Sequence, residues 1–166
     1  KEGEPLFIHD GEGSRYVCTF DGKNAVKIND SFKKQRKFSI TLLAPVLKKN
    51  QLEFMLQKSV EIGVKKIYLY IPEKSKHSFT FEKEEKKIKR YDDIITSAFL
   101  QSENFYKPNF NILRSLEDFN FDIFKHIIVL DQFSDNPLDK KVSCDLIVSG
   151  GEYGFDDREM KIISKN

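Results

Sequence analysis

Leu146-Ile147-Val148-Ser149-Gly150-Gly151-Glu152-Tyr153-Gly154-Phe155-Asp156-Asp157-Arg158-Glu159 is the stretch on which the reading of the fold turns. Its apolar start reads as a buried strand over Leu146–Val148. Asp156, with Glu159 three residues later, forms a capping box that opens a short helix. A strand ending in Ser-Gly-Gly before a helix puts backbone N–H groups and a helix N-terminus at the carboxyl end of a sheet. Open α/β folds bind ligands there. The turn is not a P-loop, because Asp156 and Asp157 stand where Lys and Ser/Thr are needed. It is a poor dinucleotide fingerprint, since no ribose-binding acid follows in the sequence. A plain strand-to-helix connection is the bland alternative.

Upstream, strands and helices alternate from Phe38. Ser39–Ala44 is a near-continuous apolar run, as expected of a buried parallel strand. Asn50 reads as a helix cap with Glu53 in capping-box position, and Leu52, Met55, Leu56 and Val60 share one face. Gly63 supplies a left-handed stop. Lys66–Ile71 is the next strand, bounded by Pro72. One long helix is expected from Glu82 to Glu103, burying Ile88, Tyr91, Ile94, Ile95, Ala98 and Phe99. Pro108 ends that region, Asn111–Leu113 reads as a short strand, Leu116–Phe124 fits neither period, and Ile127–Leu130 is another buried strand. The order predicts an α/β domain with a largely parallel sheet.

Before it, Leu6–His9, Arg15–Phe20 and Ala25–Ile28 are β-prone runs separated by Asp10-Gly11 and Asp21-Gly22, the dipeptides of tight hairpin turns. Three short strands bury little alone and read as part of a small β domain, with Lys33–Lys37 as a basic linker. The chain of 166 residues is one domain's worth plus a small appendage. Hydrophobic residues at 39% can build a core, and 33% charged residues keep it solvated. A net charge of +2 advertises no bulk affinity for nucleic acid, so any basic face must be local. No apolar run is long enough to span a membrane, and Lys-Glu-Gly-Glu at residues 1–4 is no signal peptide.

Other chemistry is sparse. His9, His77 and His126 are scattered, with no ligand spacing, so no metal site is expected. Cys18 and Cys144 read as buried free thiols of a reducing, cytoplasmic compartment. There is no G-x-S-x-G elbow. The run Lys83–Arg90 reads as a solvated face with Glu82–Lys86 and Glu85–Lys89 pairs. Lys58, Lys65, Lys66, Lys74 and Lys76 cluster around the ends of the first helix and the following strand, where they could meet phosphates.

Together these pieces resemble one family. Leu52-Glu53-x-x-Leu56-Gln57-Lys58-x-x-Glu61-Ile62-Gly63-Val64 resembles its helix ending in Lys-x-x-Glu-Leu-Gly-Val. Glu73-Lys74-Ser75 resembles its Glu-Arg-Ser, and Ser97-Ala98-Phe99-Leu100-Gln101-Ser102 its Glu-Ala-x-x-Gln-Ser. Gly150–Phe155, with Glu159 following, stands where the family has Gly-Pro-Glu-Gly-Gly-Phe. The family is the RsmE-type SPOUT methyltransferases, which methylate N3 of a uridine in small-subunit 16S ribosomal RNA. The match covers about residues 38–163, and the hairpins resemble part of the family's PUA-like β-barrel.

The resemblance implies a trefoil-knotted, mostly parallel sheet with helices on both faces, over residues 37–166, preceded by a partial PUA-like RNA-binding barrel at 1–36. It implies a homodimer, with ribosomal RNA or the assembled small subunit as partner. The implied cofactor, S-adenosylmethionine, would bind at Leu130, Ser149, Gly150, Gly151, Glu152, Gly154 and Phe155. Glu152 is the candidate to orient a donor or assist with the uridine proton, and Lys58, Lys74 and Gln101 would face RNA or the second subunit. The chain departs from the pattern at Gly151 for Pro, Tyr153 for Gly, Lys74 for Arg and Asn104 for Arg. It also ends at Asn166, before the family's Leu-Gly-x-Arg-Ile-Leu knot segment, which is expected to be missing. Tyr153, Asn104 and the absent segment support a rival reading, a catalytically inactive RNA-binding protein of the same fold. A third reading is an unrelated nucleotide-binding α/β enzyme that uses the same turn.

Overall fold

The computed structural model describes residues 3, 5–20, 22–23, 26–36, 39–132, 134–135 and 142–165. Asp21 of the second turn, the expected strand start at Ala25 and the domain boundary at Lys37 lie outside the described residues. Two sheets are present. The first is antiparallel, in order β1-β2-β3, with β1 at Pro5–His9, β2 at Ser14–Phe20 and β3 at Val26–Lys33. The expected linker therefore begins one residue late, because Lys33 is still paired with Ser14. The first turn closes as its residues dictate: the Asp10 carboxylate accepts N–H bonds from Glu12 (2.7 Å) and Ser14 (2.9 Å), and Gly11 takes φ +75°.

The second sheet is five-stranded and wholly parallel, in order β6-β5-β4-β8-β7. Its strands are β4 (Thr41–Pro45), β5 (Lys66–Tyr70), β6 (Asn109–Leu113), β7 (Ile127–Leu130) and β8 (Leu146–Ser149). Alternation along the strands divides the core in two. Ile67, Leu69 and Ile112 face α1 (Lys49–Glu61) and α3 (Ile88–Gln101), which contribute Leu52, Leu56, Val60, Tyr91, Ile95 and Phe99. Leu43, Tyr70, Leu146 and Val148 face the other way, against Leu116, Phe119, Phe121 and Ile163 of α4 (Asp157–Ile163). The Leu116–Phe124 stretch that fits neither period is a single 3₁₀ turn at Leu116–Asp118, followed by stacked Phe119 and Phe124 rings 5.5 Å apart.

Helix boundaries differ from expectation in two places. Lys48, not Asn50, precedes α1, and no side chain caps that helix. Glu53 is drawn instead to Arg90 of α3, so the expected box is not closed. The long second helix is two, α2 (Phe81–Glu85), capped by Thr80, and α3. The break turns Glu84 inward, where its carboxylate accepts from Tyr91 Oη (2.5 Å) and Lys87 Nζ (2.7 Å). Glu84 is thus buried and paired, which satisfies the requirement for a carboxylate in the core. Ile88, expected in the buried stripe, begins the new helix and is 39% exposed. The expected i,i+4 pairs give way to Glu82–Arg114 and Glu84–Lys87. Gly63 stops α1 at φ +85°, as read from the sequence.

The antiparallel sheet docks on the α3–β6 connection. Gly13 N donates to Phe105 O (2.9 Å), Lys107 N to Gly11 O (3.0 Å), and Tyr106 Oη to Lys34 O (2.7 Å). Arg15 pairs with Glu103 at 3.1 Å among the rings of Phe7, Phe32 and Phe105. A Cβ at Gly13 would lie 2.5 Å from Tyr106 Oη, and φ there is +108°. Gly13→Val therefore carries both strain and a clash and is expected to destabilise by about 1–3 kcal/mol. A lowered denaturant midpoint with an unchanged slope is the expected readout.

Candidate functional site

Chain order fixes where a ligand belongs. From β4 the chain moves outward through β5 to β6. It then crosses to the far edge at β7 and returns to place β8 beside β4. The direction of winding thus changes between β4 and β8, and the crevice at the carboxyl ends of these strands is the topological switch point. Ser149 ends β8 there, and Gly150–Gly154 follows at once.

The turn closes on itself through Gly154 N to Gly151 O (3.0 Å) and Gly151 N to Gly154 O (3.2 Å). Its three glycines serve different ends. A Cβ on Gly150 would meet Gly154 C at 2.9 Å and Phe155 N at 3.1 Å, so no side chain fits. Gly154 has φ +71°, in the left-handed region. Gly151 is neither crowded nor left-handed: a Cβ there would make ordinary contacts with Pro72 and with the carbonyls of Lys74 and Gly154. A proline, which the family's pattern has at this position, would lack the N–H that bonds Gly154 O here.

Two loops meet at the turn. From the loop after β4, Lys48 Nζ lies 3.0 Å from Glu152 Oε1, and that bond holds the Glu152 carboxyl below its ordinary range. From the loop after β5, Lys76 sits 5.4 Å from the centroid of the Tyr153 ring, and hydrogen bonding to Tyr153 raises the Lys76 pKa. Tyr153 is 42% exposed, so its bulk projects to solvent and does not fill the turn. Under the turn, Tyr70 Oη donates to Ser149 O (3.1 Å), and burial raises its pKa strongly, keeping it a neutral donor. Leu130, half exposed, is the register partner of Ser149, and Phe155 packs on the second core cluster.

Glu159 ties this region together. Only 3% exposed, it accepts N–H bonds from Asp156 (2.9 Å, Oε2) and from Glu73 (3.3 Å, Oε1) in the loop after β5. The capping box read from the sequence is complete, with Asp156 accepting from Arg158 N and Glu159 N. Burial pushes the Glu159 carboxyl up, against the pull of the two backbone N–H groups. Arg158 closes the outer rim with Glu117 (2.6 Å) and Glu73 (3.7 Å).

The structure brings Ser149–Phe155, Leu130 and Lys74 to one end of the sheet. It does not bring Lys58 or Gln101 there. Lys58 lies in the last turn of α1, paired with Glu61 at 2.7 Å, and Gln101 lines the groove between α1 and α3. Sequence reasoning missed Lys48 and the bridging reach of Glu159 to Glu73. A lysine just past the first parallel strand was the available signal for Lys48. Asn104, read as a lost arginine, bonds Val60 O at 2.7 Å and Ser102 Oγ at 3.0 Å, tying α1 to the α3–β6 connection. Cys18 is buried. Cys144 is only partly so, its thiol pKa raised by burial. Among the described residues no cluster of metal-ligating side chains forms, and no helix is long and apolar enough to cross a membrane.

A parallel α/β sheet with a glycine turn at its switch point defines a ligand-binding class, and comparison with known proteins narrows it. The sequence profile of the RNA methyltransferase domain matches residues 34–166, and the chain belongs to that family. It is 29% identical over 138 residues to the ribosomal RNA small subunit methyltransferase E of Mesomycoplasma hyopneumoniae (strain 232), covering 78% of this chain. The aligned stretch spans 58% of that relative's length. A Legionella pneumophila protein classed as a methyltransferase, in complex with the cofactor SAM, superposes with a TM-score of 0.80 at 25% identity. That similarity covers 99% of this chain and 72% of the other. A ribosomal RNA small subunit methyltransferase E from Neisseria gonorrhoeae bound to S-adenosyl methionine shares the fold, with a TM-score of 0.76 at 20% identity and the same coverage.

Glu159→Gln removes one of the two acceptors and is expected to cost about 1–3 kcal/mol. The sign of its pH dependence follows from the raised native pKa. The native wild type holds the Glu159 proton more tightly than the unfolded chain does. Its stability therefore falls as pH rises from the ordinary glutamate value through the elevated native one. The variant lacks that slope, so the stability gap is widest at the acidic end of the window. Denaturant titrations across pH measure it.

Proposed function

We propose that this chain is part of an S-adenosylmethionine-dependent methyltransferase that modifies N3 of a uridine in small-subunit ribosomal RNA. The observation that carries the reading is the closed glycine turn at the β4/β8 switch point, flanked by loops from β4 and β5. The names of the Mesomycoplasma and Neisseria relatives and the cofactor bound in the Legionella and Neisseria proteins support it.

The residues present fit the cofactor. A turn without bulk at Gly150, Gly151 and Gly154 lets backbone approach a ligand closely, Leu130 and Phe155 offer apolar surface, and Glu152 is an anion suited to a cationic group. Ser149, held by Tyr70, completes the set. Bound S-adenosylmethionine supplies an electrophilic methyl group. Uridine N3 carries a proton at neutral pH, and that proton must leave before or during attack. Glu152, held ionised by Lys48, is a weak base, so its role is to orient and to balance charge, while alignment of the two reactants supplies most of the acceleration. Lys74 borders the turn from the RNA side, and Lys58 and Gln101 meet RNA or a second subunit elsewhere.

The proposal extends to a trefoil knot, a PUA-like barrel to which β1–β3 belong, a homodimer and a cytoplasmic location. The inactive reading drew on Tyr153, Asn104 and the expected absence of the knot segment; of these, the two side chains have other work, Tyr153 facing Lys76 and Asn104 tying α1 to the α3–β6 connection.

Calorimetric titration of S-adenosylmethionine into the protein tests the cofactor assignment, with micromolar binding expected. Gly154→Val forces a β-branched residue into the left-handed region and is expected to weaken binding about tenfold or more. Equal binding by parent and variant would remove the turn from the site. Methylation of small subunits, read as 3-methyluridine in nucleoside digests, tests the substrate.

A further inference from the structure

Every described arginine except one has a carboxylate partner. Arg15 pairs with Glu103, Arg90 with Glu53, Arg114 with Glu82 and Arg158 with Glu117. Arg36 has none within ion-pair distance among the described residues. Its guanidinium lies instead over the Tyr106 ring, 4.3 Å from the centroid. Lys34, two residues earlier, likewise lacks a described carboxylate partner, and its ammonium lies 5.4 Å from the Phe105 centroid. The two cations border a cleft of about 180 Å³ that Ile62 and Asn104 help to line.

The cleft is built, not incidental. Lys34–Arg36 joins β3 to β4, Ile62 ends α1, and Asn104–Tyr106 lies between α3 and β6. Tyr106 Oη pins the first segment at Lys34 O, and Asn104 Nδ2 pins the second at Val60 O. Arg36 is half-buried, and burial lowers its pKa, with Tyr106 and then Glu12 pulling the other way. A desolvated, ring-stacked guanidinium with no carboxylate at ion-pair distance among the described residues is pre-organised to receive an anion. Exposed Ile62 and the Phe105 ring add apolar surface, so the cleft offers cations for a phosphate and flat surface for a base.

We propose that this cleft binds a nucleotide of the RNA substrate that flanks the modified base, with its phosphate on Arg36 and Lys34. The inference rests on the RNA substrate proposed above but not on the cofactor site. The cleft lies where chain enters β4, β5 and β6, at the amino end of the sheet, whereas the glycine turn lies at the carboxyl end. Five-residue strands separate the two ends by roughly 17 Å, too far for one nucleotide to occupy both. The cleft therefore holds RNA beside the target and sets affinity, not chemistry.

Anisotropy titration of a fluorescein-labelled single-stranded fragment of small-subunit ribosomal RNA tests this. Arg36→Ala is expected to weaken binding about tenfold and to flatten its salt dependence by about one counterion. Lys34→Ala should act in the same direction. Arg36→Lys should keep the salt slope while losing part of the affinity, because charge remains and stacking is lost. Melting temperature and calorimetric S-adenosylmethionine affinity should be unchanged, and in a methylation assay KM for RNA should rise at constant kcat. Unchanged RNA affinity in a folded Arg36→Ala, Lys34→Ala double variant overturns the proposal, as does a parent chain that binds no RNA. If the parent binds no S-adenosylmethionine but the variants still lose RNA affinity, the cleft stands and the methyltransferase reading fails.

Discussion

One buried carboxylate holds together the segments that border the glycine turn. The two oxygens of Glu159 each accept a backbone N–H, from Asp156 at the start of α4 and from Glu73 in the loop after β5. Apolar contacts hold the flanks of both segments, Phe155 and Ile163 on one and Ile71 on the other, but not the polar backbone between them. Hydrogen bonds to a group excluded from water do that work, since in a low dielectric they are stronger and costly to lose. The cost appears in the raised pKa of the carboxyl itself. Around this anchor, Arg158 ties the outer rim to Glu117 and Glu73, and Lys48 and Lys76 reach in to Glu152 and Tyr153.

The glycine turn shows how one short motif can satisfy several constraints at once. Packing excludes a side chain at Gly150, and backbone conformation favours glycine at Gly154. At Gly151 neither applies and a side chain fits, although a proline would forfeit the N–H bond to Gly154 O. The departures that made the chain look inert occur where side chains face outward or do structural work. Tyr153 is exposed beside Lys76, and Asn104 satisfies a helix-end carbonyl of α1.

Local signals were legible wherever the chain decides its own conformation. The Asp156–Glu159 box and the Gly63 stop stand as read, and the apolar strands form with ends shifted by one or two residues, because each depends on residues a few positions apart. Signals that depend on distant partners were not legible. Asn50 looks like a cap, but Glu53, its box partner, is taken by Arg90 of another helix. The run from Glu82 to Glu103 reads as one helix, yet it breaks where Glu84 turns inward to Tyr91. In the site, the turn could be placed from its glycines, whereas Lys48 reached it through tertiary contact. Lys58 and Gln101, grouped with Lys74 by motif order, are set apart because α1 and α3 carry them away from the carboxyl ends of the strands.

The order of strands also constrains how the chain can be made. β4 sits in the middle of the parallel sheet, and its first partner, β5, follows after one helix. Its other edge waits for β8, with Thr41 pairing to Leu146 near the end of the chain. During synthesis from the N-terminus, a central, strongly apolar strand therefore stays half-paired until β8 has emerged. Pairings so remote in sequence form slowly, and an unpaired edge invites association with other chains. The same strand carries the glycine turn, so the crevice at the carboxyl ends of β4 and β8 cannot form before that long-range pairing is made.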